Sequence, residues 1–92
     1  MLATKIVDTS GLTTSYTTDP TFEWSFMARA LMVSNMETTG AFAFSLDGKT
    51  DNEIVCVAGT PSAGVVLNFN QVKAIWVRDV SGGGDAQIVA EG

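Results

Sequence analysis

Asp47, Asp51 and Glu53 are the residues whose type and spacing come nearest to a chemical site. Carboxylates this close together could ligate calcium, which takes oxygen donors from short acidic loops. The spacing departs from the D-x-[DN]-x-[DN]-G pattern of a calcium loop, so the expectation is a solvated turn and no metal. Asp47-Gly48-Lys49-Thr50 looks like the end of a phosphate-cradling loop. The earlier glycine of GxxxxGK[ST] is missing, and Asp51 follows with a charge that repels phosphate. A glycosidase-type pair of carboxylates needs a concave site, which nothing in the pattern implies.

The chain has no histidine and a single cysteine, Cys56. That removes histidine-based triads, the commonest general base and most zinc sites. Cys56 can form neither an intrachain disulfide nor a cysteine-rich metal site. Between Val55 and Val57 it reads as a small core residue rather than a reactive thiol. One thiol fits synthesis in a reducing cytoplasm. The expectation is a protein that is not an enzyme and carries no cofactor.

Trp24 and Trp76 remain, and aromatic rings can stack on sugars and bases. Phe22, Trp24 and Phe26 alternate along one face of a strand, which makes Trp24 a core candidate. Ile75 and Val77 alternate with Trp76 and Arg78. If the first pair faces the core, the second faces out, and an outward Trp beside Arg is a common interface anchor. The alternatives for Trp76 are a second buried face or cover by the N-terminal segment. Tyr16, within the Thr- and Ser-rich stretch 9–18, completes the candidate protein interface of Tyr16, Trp76 and Arg78.

The elements that must position these residues read as short strands. Residues 4–8 form one, and 11–18 form a second or belong to an arm that orders against a neighbour. Asp19-Pro20 then breaks the chain. Further strands are expected over 22–26, 29–35, 41–46, 54–58, 65–69, 72–80 and 86–90. Turn signals separate them: a polar loop at 35–40, Asp47-Gly48, a loop at 59–64, Asn68-Phe69-Asn70 and the glycines 82–84. The expected fold is all-β, a small antiparallel β-sandwich or jelly-roll-like domain of about seven or eight short strands. Residues 1–21 are its N-terminal strand or arm, and 22–92 the sandwich domain.

Of 92 residues, 46% are hydrophobic and only 16% are charged. A domain this small is mostly surface, so some apolar surface is expected to be covered by another chain. The net charge is −5, and Lys5, Arg29, Lys49, Lys73 and Arg78 do not cluster. That disfavours nucleic acid and anionic membranes as partners. No apolar run approaches the length of a membrane helix. The first residues lack the apolar stretch of a secretion signal.

From Ala30 onward the order of elements resembles a known class. A strand carries Ala30-Leu31-Met32-Val33-Ser34-Asn35, and another ends in Phe44-Ser45-Leu46-Asp47-Gly48. Ala74-Ile75-Trp76-Val77-Arg78 then precedes a glycine-rich turn and a last short strand. This resembles the small virion structural proteins of tailed bacteriophages, of the capsid-decorating (cement) kind. The motifs are structural, since S-x-D-G marks a turn and not an active site. The resemblance implies a protein made in the host cytoplasm that sits on the capsid surface. It would be a homo-oligomer, often a trimer at three-fold or quasi-three-fold positions, bridging major capsid protein subunits. Trp76 and Arg78 would be its anchors and residues 9–18 its arm. The rival readings are a tail or head-fibre adaptor and a carbohydrate- or receptor-binding β-sandwich module.

Overall fold

A computed structural model describes residues 1–36, 40–56, 64–82 and 85–92. The strands are β1 (Leu2–Asp8), β2 (Phe22–Asn35), β3 (Ala41–Ser45), β4 (Glu53–Cys56), β5 (Gly64–Ser81) and β6 (Asp85–Glu91). A short 3₁₀ turn, Thr9–Gly11, follows β1. The sheet order is β1-β6-β2-β5-β3-β4, and each pairing of these strands is antiparallel. The chain is therefore all-β. Among the described residues no helix is long and apolar enough to cross a membrane.

The described strands number six, where the turn spacing predicts about seven or eight. The expected strand at 11–18 does not form. Its hydroxyls bond locally instead: Thr13 Oγ1 donates to Ser15 O at 2.6 Å, and Thr17 Oγ1 to Asp19 O at 2.9 Å. Such side-chain bonds compete with a sheet ladder. Elsewhere pairs of expected strands fuse. Residues 22–26 and 29–35 both lie in β2, and 65–69 and 72–80 both lie in β5. The end of the strand expected at 54–58, the loop expected at 59–64 except Gly64, which opens β5, much of the loop at 35–40, part of the glycine turn and the burial of Cys56 fall outside the described residues and side chains.

β2 shows why one strand reads as two. Phe22, Trp24, Phe26 and Ala28 turn inward, and then Leu31, Val33 and Asn35 do. The inward phase slips by one residue at Arg29–Ala30. Pairing with β5 is irregular in the same place: Glu23 faces Ala74, Ala28 faces Val72 and Ala30 faces Asn68. Extra residues of this kind bend a strand and re-aim its side chains. Trp24 closes the irregularity by donating its indole N–H to Val72 O at 3.0 Å. Its ring lies between Phe22 and Phe26, with centroids 5.3 and 6.5 Å away. Trp24 thus belongs to the packing around the core.

One apolar cluster joins β1, β2, β3, β5 and β6, from Val7 through Leu31, Val33, Phe42, Phe44, Ile75 and Val77 to Ile88 and Ala90. All five residues of β3 are buried, so this strand is covered on both faces. Phe42 and Phe44 fill one side, and the small side chains of Ala41, Ala43 and Ser45 let other chain approach the second.

Phe44 has no exposed surface. Phe44→Ala is expected to destabilise the fold by about 3–5 kcal/mol, read as a lower urea midpoint at unchanged slope. A loss no larger than that of Ser25→Ala, on the exposed side of β2, would contradict this core.

Candidate functional site

The end of β5 carries the candidate residues. Ile75 and Val77 are buried, so strand alternation sends Trp76 and Arg78 to the other face, as the sequence predicts. One edge of this segment pairs with β3, where Ser45 faces Trp76 and Phe44 faces Val77. β2 begins at Phe22, opposite Ile75, so it leaves the other edge open beyond that point. The segment before β2 fills it. Thr21 N donates to Ile75 O at 2.9 Å, Val77 N to Thr21 Oγ1 at 2.8 Å, and Asp79 N to Thr13 O at 3.0 Å. The stretch 12–21 is therefore laid along β5 and over Trp76 and Arg78.

A braced turn forms the opposite wall. Ser45 Oγ accepts from Asp47 N at 3.2 Å and Gly48 N at 2.9 Å, and donates to Asp47 Oδ1 at 2.7 Å. Asp47 Oδ1 also accepts from Lys49 N at 2.8 Å and Thr50 N at 2.9 Å. The Thr50 amide, the Ser45 hydroxyl and the Lys49 amide hold the Asp47 carboxyl down at about 2. Its charge is spent on shaping the turn. Gly48 sits at φ +77°, and a Cβ there would lie 2.9 Å from the Trp76 ring. Only glycine satisfies both the left-handed backbone and the close seat of the indole. Trp76 Nε1 reaches Thr18 O at 3.4 Å, so the N-terminal segment covers this side chain in part.

Asp51 ties the two walls to Arg78. Arg78 Nε donates to Asp51 Oδ1 at 3.0 Å and Nη2 to Oδ2 at 2.7 Å. Its Nη1 donates to Thr14 O at 3.3 Å. Tyr16 O–H donates to the same Asp51 Oδ1, and the guanidinium lies 5.7 Å from the Tyr16 ring centroid. The bidentate pair is partly exposed, with side chains 24% and 35% accessible. Hydrogen bonds from Arg78 and Tyr16 hold Asp51 down at about 2. The hydrogen bond to Asp51 raises Arg78 further above its ordinary value. Burial, and then the Asp51 carboxylate, push the Tyr16 phenol well up.

Tyr16, Trp76 and Arg78 thus come together on one surface, built from the N-terminal segment, the turn and β5. Two adjoining shallow hollows lie on it. One, of about 300 Å3, is lined by Tyr16, Thr17, Thr18, Asp47, Gly48, Lys49 and Trp76. The other, of about 320 Å3, runs from Thr14 and Ser15 past Tyr16 and Lys49 to Asp51 and Arg78. Sequence reasoning missed Asp51 as the partner of both Arg78 and Tyr16, and Gly48 as the seat of Trp76. The only available signal was an acid just past an Asp-Gly turn, which marks exposed turns equally well. Among the described residues no group of three His, Cys, Asp or Glu side chains could hold a metal. No protein-family model matches the chain, and no curated protein matches it at a significant level.

Tyr16 is the only tyrosine, so ultraviolet absorbance reads its ionisation directly. Its midpoint is expected above the ordinary 10.0, and Asp51→Asn should bring it down. An unperturbed midpoint in the folded protein would mean that Tyr16 does not meet Asp51.

Asp47 and Asp51 both have carboxyls depressed by folding, from 3.8 to about 2. The stability they contribute is present above 3.8 and lost as pH falls toward 2. Acid should therefore loosen the turn and the N-terminal segment in that window. Trp76 fluorescence in a Trp24→Phe background checks this: Asp51→Asn should flatten the response, and an identical acid transition in both proteins would refute the coupling.

Proposed function

We propose that this chain is a non-enzymatic structural protein of a tailed-phage virion. In this reading it decorates the capsid surface as an oligomer and stabilises the lattice of the major capsid protein. The observation that carries the reading is the surface formed by Trp76, Arg78 and Tyr16. A large aromatic ring and a guanidinium stand side by side on one strand, held in place by Gly48, Asp51 and the segment 12–21. Preorganised Trp, Tyr and Arg side chains are the residues that dominate binding at protein interfaces. The reading also draws on the resemblance, whose residues fall at the end of β2 (Asn35), at and after the end of β3 (Ser45-Leu46-Asp47-Gly48) and in β5 (Ile75-Trp76-Val77-Arg78). The acidic balance of the chain limits adhesion to DNA. Symmetric clustering would turn weak single contacts into firm attachment.

The same reading gives the fold as a two-layer sandwich of jelly-roll type. Its support is the apolar cluster that, among the described residues, is shared by the strands on either side of the irregular β2–β5 pairing.

The test is co-sedimentation with expanded, undecorated capsids of the phage that encodes the chain. Saturation at a fixed ratio to capsid subunits is expected, and Trp76→Ala should weaken binding about tenfold or more with the isolated fold intact. If the wild-type protein folds but does not bind, the capsid role fails. The hollows beside Tyr16 and Trp76 would then favour a glycan-binding module, and a glycan-dependent shift of tryptophan fluorescence would mark it.

A further inference from the structure

We infer that β1 is a self-association edge, through which a second copy of this chain extends the sheet. The inference rests on the backbone of β1 and is independent of the capsid reading.

β1 lies at the end of the sheet order and pairs only with β6 among the described residues. Gly92 N donates to Met1 O at 2.9 Å, so Met1 turns its backbone groups toward β6. Alternation turns those of Ala3, Lys5 and Val7 the same way, and those of Leu2, Thr4 and Ile6 outward. On the far side of β6, Met36 N donates to Asp85 O at 2.8 Å, which agrees with that alternation. The outer edge therefore offers the donors and acceptors of Leu2, Thr4 and Ile6 to a further strand.

The side chains on this strand point to the same conclusion. Met1, Leu2 and Ile6, at 77%, 65% and 57%, are the most exposed large hydrophobic residues among those described. Charge does not guard the edge. The Lys5 ammonium is drawn over the Phe22 ring, 5.6 Å from its centroid, and Asp8 is held by Ser10 N and Oγ at 3.0 and 2.6 Å. Open backbone beside unshielded apolar side chains is what natural edge strands otherwise avoid.

The occupant follows from self-complementarity. A two-fold antiparallel contact pairs residues of the same face, so it centres on a single residue of β1. Centred on Lys5, it sets two ammonium groups opposite each other, which is destabilising. Centred on Ile6, it sets Thr4 against Asp8 and leaves Met1 and Leu2 uncovered. Centred on Thr4, it sets Leu2 against Ile6 of the second copy, twice over, with Met1 opposite Val7 and Ala3 opposite Lys5. The outward groups of Leu2, Thr4 and Ile6 then form about six inter-chain hydrogen bonds. This register alone covers the exposed apolar side chains and separates the charges.

Sedimentation of the full chain over a range of concentrations, with hydrogen exchange at the Thr4 amide, tests the inference. The expected result is association in pairs, with the Thr4 amide protected as pairing saturates. Thr4→Pro removes an outward donor and no bond to β6, and Ile6→Lys places like charge in the contact. Both should abolish the association at unchanged circular dichroism. If Thr4→Pro fails to fold, Ile6→Lys and the exchange measurement decide. A wild-type chain that stays monomeric, a free Thr4 amide in the associated form, or a folded Ile6→Lys that associates as the wild type does would each overturn it. Capsid binding can fail without affecting any of these readouts.

Discussion

β5 runs unbroken for 18 residues, and both parts of the molecule are built against it. From Gly64 to Ile75 it pairs with β2, and from Trp76 to Asp79 with β3. Neither neighbour spans its full length, so each end of β5 depends on the chain that completes the ladder there. Buried backbone groups need partners, and a strand this long has many to place. At the β3 end the partners come from Thr13 and Thr21, outside any strand. The irregular segment before β2 is thus a structural part of the sheet. Without it, part of one edge of the central strand would depend on water.

That constraint also explains the arrangement around Trp76 and Arg78. The segment 12–21 can lie along β5 only if Trp76 and Arg78, which project from the same stretch, find room beneath and beside it. Gly48 provides room for the ring by lacking a Cβ, and Asp51 balances the guanidinium charge while accepting from Tyr16. Each partner is held by another, so the polar atoms bind one another more than they bind solvent. An exposed ion pair alone contributes little to stability. Here its larger effect is to fix two rings and a cation in one arrangement.

Much of this could be read from residue order. Alternation in Phe22–Phe26, in Phe42–Phe44 and across Ile75–Arg78 carries the strand identity and the facing of each side chain, because burial of one face imposes a period of two. The all-β class follows from the same signal. The joins between strands were harder to see. Asn68-Phe69-Asn70 looks like a turn by composition, yet β5 continues through it, since pairing on its flanks outweighs local preference. The slip at Arg29–Ala30 looks like two strands because alternation cannot distinguish a break from a bulge. The stretch 11–18 has β-branched residues enough for a strand, but the Thr13 and Thr17 hydroxyls bond carbonyls two residues on. At the site, Trp76 and Arg78 were legible as neighbours on one face. Asp51 was not legible as the partner of Arg78, because that contact spans 27 positions and depends on how β3 registers with β5.

The slip within β2 gives the sheet a way to detect its own mistakes. In a uniform strand, sliding by two residues keeps every apolar side chain facing inward, so such an error goes unnoticed until the ends fail to match. β2 has no such symmetry. Its change of phase must meet the irregular stretch of β5 near Val72, and the Trp24 indole must find the Val72 carbonyl there. Slide the strand by two in either direction and the kink meets regular ladder while the indole loses its acceptor. The bulge therefore works as a keyed joint, which lets a long and strongly apolar strand pair settle in one alignment rather than several near-equal ones.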